Sequence, residues 1–242
     1  MAESKANRSK ELRQHPRFST KPLHSLSLQT VDGKTITIAN ISLGGVGLIT
    51  DENVKKLAGD FEAMLSVGPG KFKIQLAKVY QGEKITGCSF RGPEAELQKG
   101  IDNYFQTEIL ALKVDRVETM PDRNNKQDKI LFYHGQNNCE LLINERNSQI
   151  CYFSVVVLGN SVEVEPKKSI QVGERVDDKK VPVKNGVFLF KPQRASKHII
   201  DNAIRFIDNI EHLSLEYRQN LIHLLNETPM HPTGEKTKSS RR

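Results

Sequence analysis

From Leu26 the chain alternates apolar and polar positions, with Leu26, Leu28 and Thr30 on one side, up to Asp32-Gly33. An Asp-Gly pair between two alternating runs signals a hairpin, because these residues accept the positive φ that tight turns need. The return strand, residues 35–39, runs straight into Asn40, and residues 45–49 leave the next turn as a third strand. A fourth covers residues 61–67, and Gly68-Pro69-Gly70 reverses the chain into a long alternating run over 72–80. A short turn near Gly82 leads into residues 84–90. That makes about six strands spaced roughly ten residues apart, the pattern of a small antiparallel barrel.

The period then changes. Pro93-Glu94 opens a helix in which Leu97, Ile101, Tyr104, Phe105, Ile109 and Leu112 recur at helical spacing. Such a stripe is read first as a helix packed on the barrel and second as a dimerisation surface. The polar stretch 118–128, with Pro121, reads as a linker. A second β-rich block follows over 129–133, 139–143, 149–158 and 161–165, with further β character at 181–183 and 186–191. Ile199, Ile200, Ala203, Ile204, Ile207 and Ile210 then form a helical stripe. Ser214 is placed to cap a second helix carrying Tyr217, Leu221, Leu224 and Leu225, which Pro229 and Pro232 end.

The fold class expected is therefore α+β and mainly β. A six-stranded antiparallel barrel with a C-terminal helix precedes a second α+β domain that ends in one or two helices. The boundaries read as a basic tail at 1–10, a first domain at 11–115, a linker at 116–128, a second domain at 129–228 and a basic tail at 229–242.

Composition narrows the class. Of the 242 residues, 37% are hydrophobic and 27% charged, and no apolar run approaches a membrane span. The first residues carry no apolar signal core, so the expected location is cytoplasmic. Three scattered cysteines, Cys88, Cys139 and Cys151, form no CxxC pair, and no metal site or cofactor is expected. The formal net charge of +7, much of it near the two ends, favours an anionic partner. No nucleophile elbow, zinc-protease motif, P-loop or dinucleotide fingerprint occurs, and the seven histidines are scattered, so catalysis is not expected.

The candidate chemistry lies in Arg13-Gln-His-Pro-Arg17 and in Asn40-Ile-Ser42-Leu-Gly44-Gly45. Arginine presents a planar fork of donors that fits a phosphate bidentately and a flat face that stacks on purines. Asn40 and Ser42 donate and accept hydrogen bonds, while Gly44 and Gly45 allow positive φ and close approach to the main chain.

At these residues the chain resembles the PilZ domains, whose two-part signature is RxxxR followed by [D/N]xSxxG. Residues 85–90, Ile-Thr-Gly-Cys-Ser-Phe, resemble the late barrel strand of that family, and the resemblance covers roughly residues 11–115. It implies a bacterial receptor for cyclic di-GMP. Arg13 and Arg17 would contact phosphates and guanine faces, while Asn40, Ser42 and Gly45 hold the opposite side. Asp is commoner than Asn at position 40, and loss of that charge implies weaker binding to guanine donors. Leu12 stands where an arginine would supply a third guanidinium, which implies one ligand per chain, and Gly44 is read as a turn residue. The resemblance further implies signalling by conformational change to a protein partner through the second domain, in motility, surface behaviour or a similar process. The alternative reading is a basic nucleic-acid-binding or structural protein whose barrel no longer binds nucleotide.

Overall fold

The computed structural model describes residues 15–20, 25–92, 95–117, 128–175, 190–194 and 196–230. The chain divides into two compact units, Met1–Phe105 and Gln106–Arg242.

The first unit runs β1 (Phe18–Ser19), β2 (Leu26–Thr30), β3 (Thr35–Ile36), β4 (Ile38–Ser42), β5 (Gly45–Ile49), α1 (Glu52–Lys56), β6 (Asp60–Val67), β7 (Gly70–Gln81), β8 (Ile85–Phe90) and α2 (Ala95–Tyr104). Its strands form one antiparallel sheet in the order β1-β4-β5-β8-β7-β6-β2-β3. β3 and β4 stand toward opposite ends of that order, yet only Thr37 separates them in the chain. Ile36 pairs with Leu28 of β2, and Ile38 pairs with Leu48 of β5. One short stretch of backbone thus serves both ends, so the sheet curls round on itself.

Eight strands replace the expected six. The return strand expected at 35–39 breaks at Thr37, where the chain leaves β2 for β5, and β1 adds a short strand beside β4. Alternation holds along β6, where Ala63, Leu65 and Val67 are buried while Glu62 and Met64 are exposed. The β6–β7 turn needs positive φ at its first central residue, and Gly68 supplies it at 56°.

Helix α1 escaped the sequence reading because five residues are too few to show a period. Asp51 caps it, accepting from the Val54 amide at 2.8 Å, and Val54 is fully buried. Helix α2 buries Leu97 and Ile101. Phe105, just beyond it, stacks on Phe18 with ring centroids 4.7 Å apart. The Tyr104 ring lies on Gly68, and its hydroxyl accepts from the Ser25 amide at 2.6 Å.

The apolar stripe over 97–112 is two helices, not one: α2 ends at Tyr104 and α3 (Gln106–Ala111) opens the second unit. Then come β9 (Asp115–Val117), β10 (Asp128–His134), β11 (Glu140–Arg146), β12 (Gln149–Val157), β13 (Asn160–Glu165), β14 (Ser169–Arg175), β15 (Phe190–Pro192), α4 (Lys197–Asn209) and α5 (Leu215–Glu227). The seven strands pair with their sequence neighbours as an antiparallel meander. β14 was not expected, and residues 181–189 lie outside the described residues. The β11–β12 turn holds Asn147 and Ser148 at φ 51° and 59°, positive as a two-residue hairpin loop requires.

Phe153, Val155 and Val164 of the sheet and Ala203, Phe206 and Ile207 of α4 belong to one fully buried core. Ser196 and Ser214 accept from the Ile199 and Tyr217 amides and cap α4 and α5, the second as the sequence predicts. Lys129 Nζ donates to the Tyr217 hydroxyl at 2.7 Å, and that hydroxyl donates to Glu145, which ties α5 to β10 and β11.

One charged pair sits inside this core. Arg205 of α4 donates through Nε and Nη2 to the two oxygens of Glu108 on α3, at 2.6 and 2.7 Å. Glu108 is 1% exposed and Arg205 8%. Removing one partner strands a buried charge, whereas removing both does not. Arg205→Ala is therefore expected to lower stability by roughly 3–5 kcal/mol in urea denaturation, and Glu108→Leu with Arg205→Met to recover most of that loss.

Candidate functional site

The site begins where β4 turns into β5. Ser42 pairs with Gly45 across a two-residue turn, and the Ser42 hydroxyl donates to the Gly45 carbonyl at 3.3 Å. The Gly44 carbonyl accepts from the Phe90 amide at 3.0 Å, which fixes the turn against the end of β8. Neither Gly44 nor Gly45 has positive φ, contrary to the conformational role the sequence suggests. Gly45 is required for a steric reason. A Cβ there would stand 2.1 Å from the Cys88 carbonyl oxygen and 2.9 Å from the Ser89 Cα, so only glycine lets β5 lie so close to β8. At Gly44 a Cβ would meet only the His15 ring, at an ordinary 3.6 Å.

β1 brings the N-terminal arm to this turn. Phe18 pairs with Ile41 and Ser19 with Asn40, so Arg17 enters beside Ser42. Phe18 is buried and anchors the strand, while His15 and Arg17 stay exposed. A depression of about 260 Å³ results. The arm contributes His15 and Arg17, the turn contributes Ser42, Gly44 and Gly45, β7 contributes Val79 and Tyr80, and β8 contributes Gly87, Cys88 and Ser89. Arg17, Ser42, Gly44 and Gly45 are thus brought together from two distant stretches of sequence. Leu12 and Arg13 lie outside the described residues. Asn40 does not line the depression; its half-buried side chain lies on Gly47.

Asn40 belongs to a row across four strands. Asn40 pairs with Gly47, Gly47 with Gly87, and Gly87 with Tyr80. The two central positions carry no side chain. A Cβ on Gly47 would stand 2.7 Å from Asn40 Oδ1, and one on Gly87 would stand 2.1 Å from the Tyr80 ring. Amide and phenol therefore cover Gly47 and Gly87 from opposite sides. Each follows a register shift, between Ile38 and Asn40 on β4 and between Lys78 and Tyr80 on β7. Such irregularities re-aim the next side chain, which is how Val79 and Tyr80 come to be exposed in succession. His15, Val79, Tyr80 and Ser89 were missed in the sequence. The available signal was the unbroken glycine pattern of 45, 47 and 87, although a glycine's cross-strand partners cannot be read from one strand.

The charge of the depression has one sign. Among its described lining residues none is acidic, and Arg17 is cationic. Burial pushes the Cys88 thiol up to about 11, against a weaker opposing pull from Lys78, so the thiol is neutral near pH 7. The Lys78 ammonium is used elsewhere, donating to the Leu57 carbonyl at 2.7 Å. The arrangement can hold an anion through guanidinium, hydroxyl and backbone groups, with the Tyr80 ring in the same wall. A larger depression of about 460 Å³ lies between the β2–β3 hairpin and α1, but Asp32, Glu62, Lys34 and Lys56 give it mixed charge. Among the described residues no group of three or more His, Cys, Asp or Glu side chains is placed to hold a metal ion, and no helix is long and apolar enough to cross a membrane.

No protein-family model and no curated protein matches the chain. Among solved structures, an uncharacterised Legionella protein is similar at 10% identity and a TM-score of 0.31, over 38% of this chain and 90% of that one. The MrkH–c-di-GMP complex of K. pneumoniae is similar at 24% identity and a TM-score of 0.32, over 40% of this chain and 52% of that one. The second likeness spans about half of the MrkH chain.

The two turn glycines should differ on substitution. Gly45→Ala is expected to destabilise the protein by roughly 1–3 kcal/mol in thermal or urea unfolding, because backbone must move, while Gly44→Ala stays close to the parent. In the folded protein at pH 8, a thiol reagent is expected to modify exposed Cys151 and to reach buried Cys88 and Cys139 only on unfolding, as peptide mapping of the labelled protein would show.

Proposed function

We propose that the N-terminal unit is a PilZ-type receptor for cyclic di-GMP, acting by binding and conformational change and not by catalysis. One observation carries the reading: Arg17, from the first half of the two-part signature, lines the same depression as Ser42, Gly44 and Gly45 from the second. A guanidinium beside a phosphate forms charge-assisted, bidentate hydrogen bonds, and no acidic residue among the described lining opposes an anion. Arg13, four residues before Arg17, would supply a second fork to the same ligand. The short β1 pairing lets the arm respond when its arginines are neutralised, and that change is passed to a protein partner through residues 129–228.

Calorimetric titration of the full chain tests this. Saturable binding of cyclic di-GMP is expected, and Arg17→Ala should weaken it by roughly ten- to a hundredfold, the value of a hydrogen bond to a charged group. Arg17 is exposed, so the variant should keep the parent's stability. Absence of binding heat, or salt-sensitive association with DNA or RNA that Arg17→Ala leaves unchanged, would replace this reading with the nucleic-acid one.

A further inference from the structure

His15 lines the depression although the two-part signature does not specify it. It stands two residues before Arg17 on the arm, and both side chains meet the same wall. Pro16 between them has a fixed φ and no amide donor, which limits how far the two can separate. The imidazole lies over the turn. A Cβ on Gly44 would stand 3.6 Å from the His15 Cδ2, so the glycine puts no side chain between ring and backbone. The ring is exposed, and among the described residues it has no hydrogen-bond or ion-pair partner. The His134 and His198 rings, by contrast, meet Glu140 and Asn202. The His15 nitrogens are therefore available to a ligand that Arg17 holds.

Around His15 nothing else in the depression changes charge near neutrality. The arm presents Arg17, β7 presents the Tyr80 phenol, and β8 presents the Cys88 thiol. A guanidinium is charged and a phenol neutral throughout the range in which imidazole titrates, about pH 5 to 8. The thiol is held neutral there by burial, which pushes it up to about 11. Ser42, Gly44 and Gly45 of the turn carry no titratable group, and among the described lining residues there is no carboxylate.

We propose that His15 is an anion-contacting residue of this site, donating as imidazolium to the same phosphate-bearing ligand that Arg17 holds. The inference deepens the receptor reading above and rests on it. The sign follows from linkage. A bound anion favours the protonated ring, so the complex takes up a proton and binding tightens as pH falls through the histidine range. A phosphodiester keeps its charge throughout, so the ligand adds no change of its own.

Calorimetric titration of the full chain with cyclic di-GMP, at fixed ionic strength and at about pH 5.5 and about pH 8, tests this. The parent is expected to bind roughly three- to tenfold tighter at the lower pH, which is what a charge-assisted hydrogen bond adds over a neutral one. His15→Ala should bind at both pH values no tighter than the parent does at the higher one. His15→Arg should lose the difference while binding tightly at both. Arg17→Ala should weaken binding at both and keep the parent's ratio. Equal affinity of the parent at the two pH values overturns the proposal and leaves the receptor reading standing. So does an unchanged ratio in His15→Ala, and a lowered unfolding temperature alongside it would mark His15 as a support of the turn. Absence of saturable binding at either pH removes the receptor reading, and this inference with it.

Discussion

The site depends on two backbone pairings, Phe18 with Ile41 and Ser19 with Asn40. Without them Arg17 has no reason to stand beside Ser42. A two-residue strand is a weak tether: fixing three residues costs about 1–2 kcal/mol each, while each net hydrogen bond returns roughly 0.5–1.5 kcal/mol. The difference is made up by Phe18, whose burial contributes about 1.5–3 kcal/mol and whose ring stacks on Phe105. The balance is close to zero. A tether so close to balance is more easily loosened or tightened than a deeply packed strand. The aromatic anchor just after the arginines thus joins the candidate site to the core of the unit.

The curled sheet beside the arm is shaped by what is missing from it. Gly45, Gly47 and Gly87 leave a surface without side chains on β5 and β8, and each has a steric neighbour that a Cβ would strike. Two register shifts on the flanking strands turn Asn40 and Tyr80 over that surface. In a regular strand the successive residues Val79 and Tyr80 would face opposite sides, whereas here both are exposed. The irregularities therefore have a packing result: the Asn40 amide lies on Gly47, and the Tyr80 ring lies on Gly87 in the wall of the cationic depression.

The second unit is built on other terms. Its meander of hairpins is almost wholly local in connection, and α4 buries Ile200, Ala203, Ile204, Phe206 and Ile207 in its core. The buried Arg205 is matched by both oxygens of the buried Glu108, so the pair gives α3 and α4 a unique register at little net gain in stability. Among the described residues this unit shows packing and clasps, such as Lys129–Tyr217–Glu145, where the first unit shows an open cationic depression.

The alternation of 26–30, 61–67 and 72–76, the Gly68 turn, the apolar stripe of α4 and the Ser214 cap were all legible in the chain, while the alternation expected to run on to residue 80 breaks at Ala77. Each depends on residues within one turn or one strand of each other. Residue type also marks the arginine arm and the polar, glycine-rich turn as candidate chemistry, and of the arm Arg17 lies beside that turn while Arg13 lies outside the described residues. What the sequence could not determine is whatever depends on a neighbour distant along the chain. The break at Thr37 follows from closure of the sheet, the division of the 97–112 stripe from where each helix finds its own core, and the need for glycine at 45 from the Cys88 carbonyl of another strand. Tyr80 reaches the site only because a register shift turns it outward. Local periodicity is set by the chain's own geometry, whereas register and close approach are decided between strands, and those only the tertiary structure brings together.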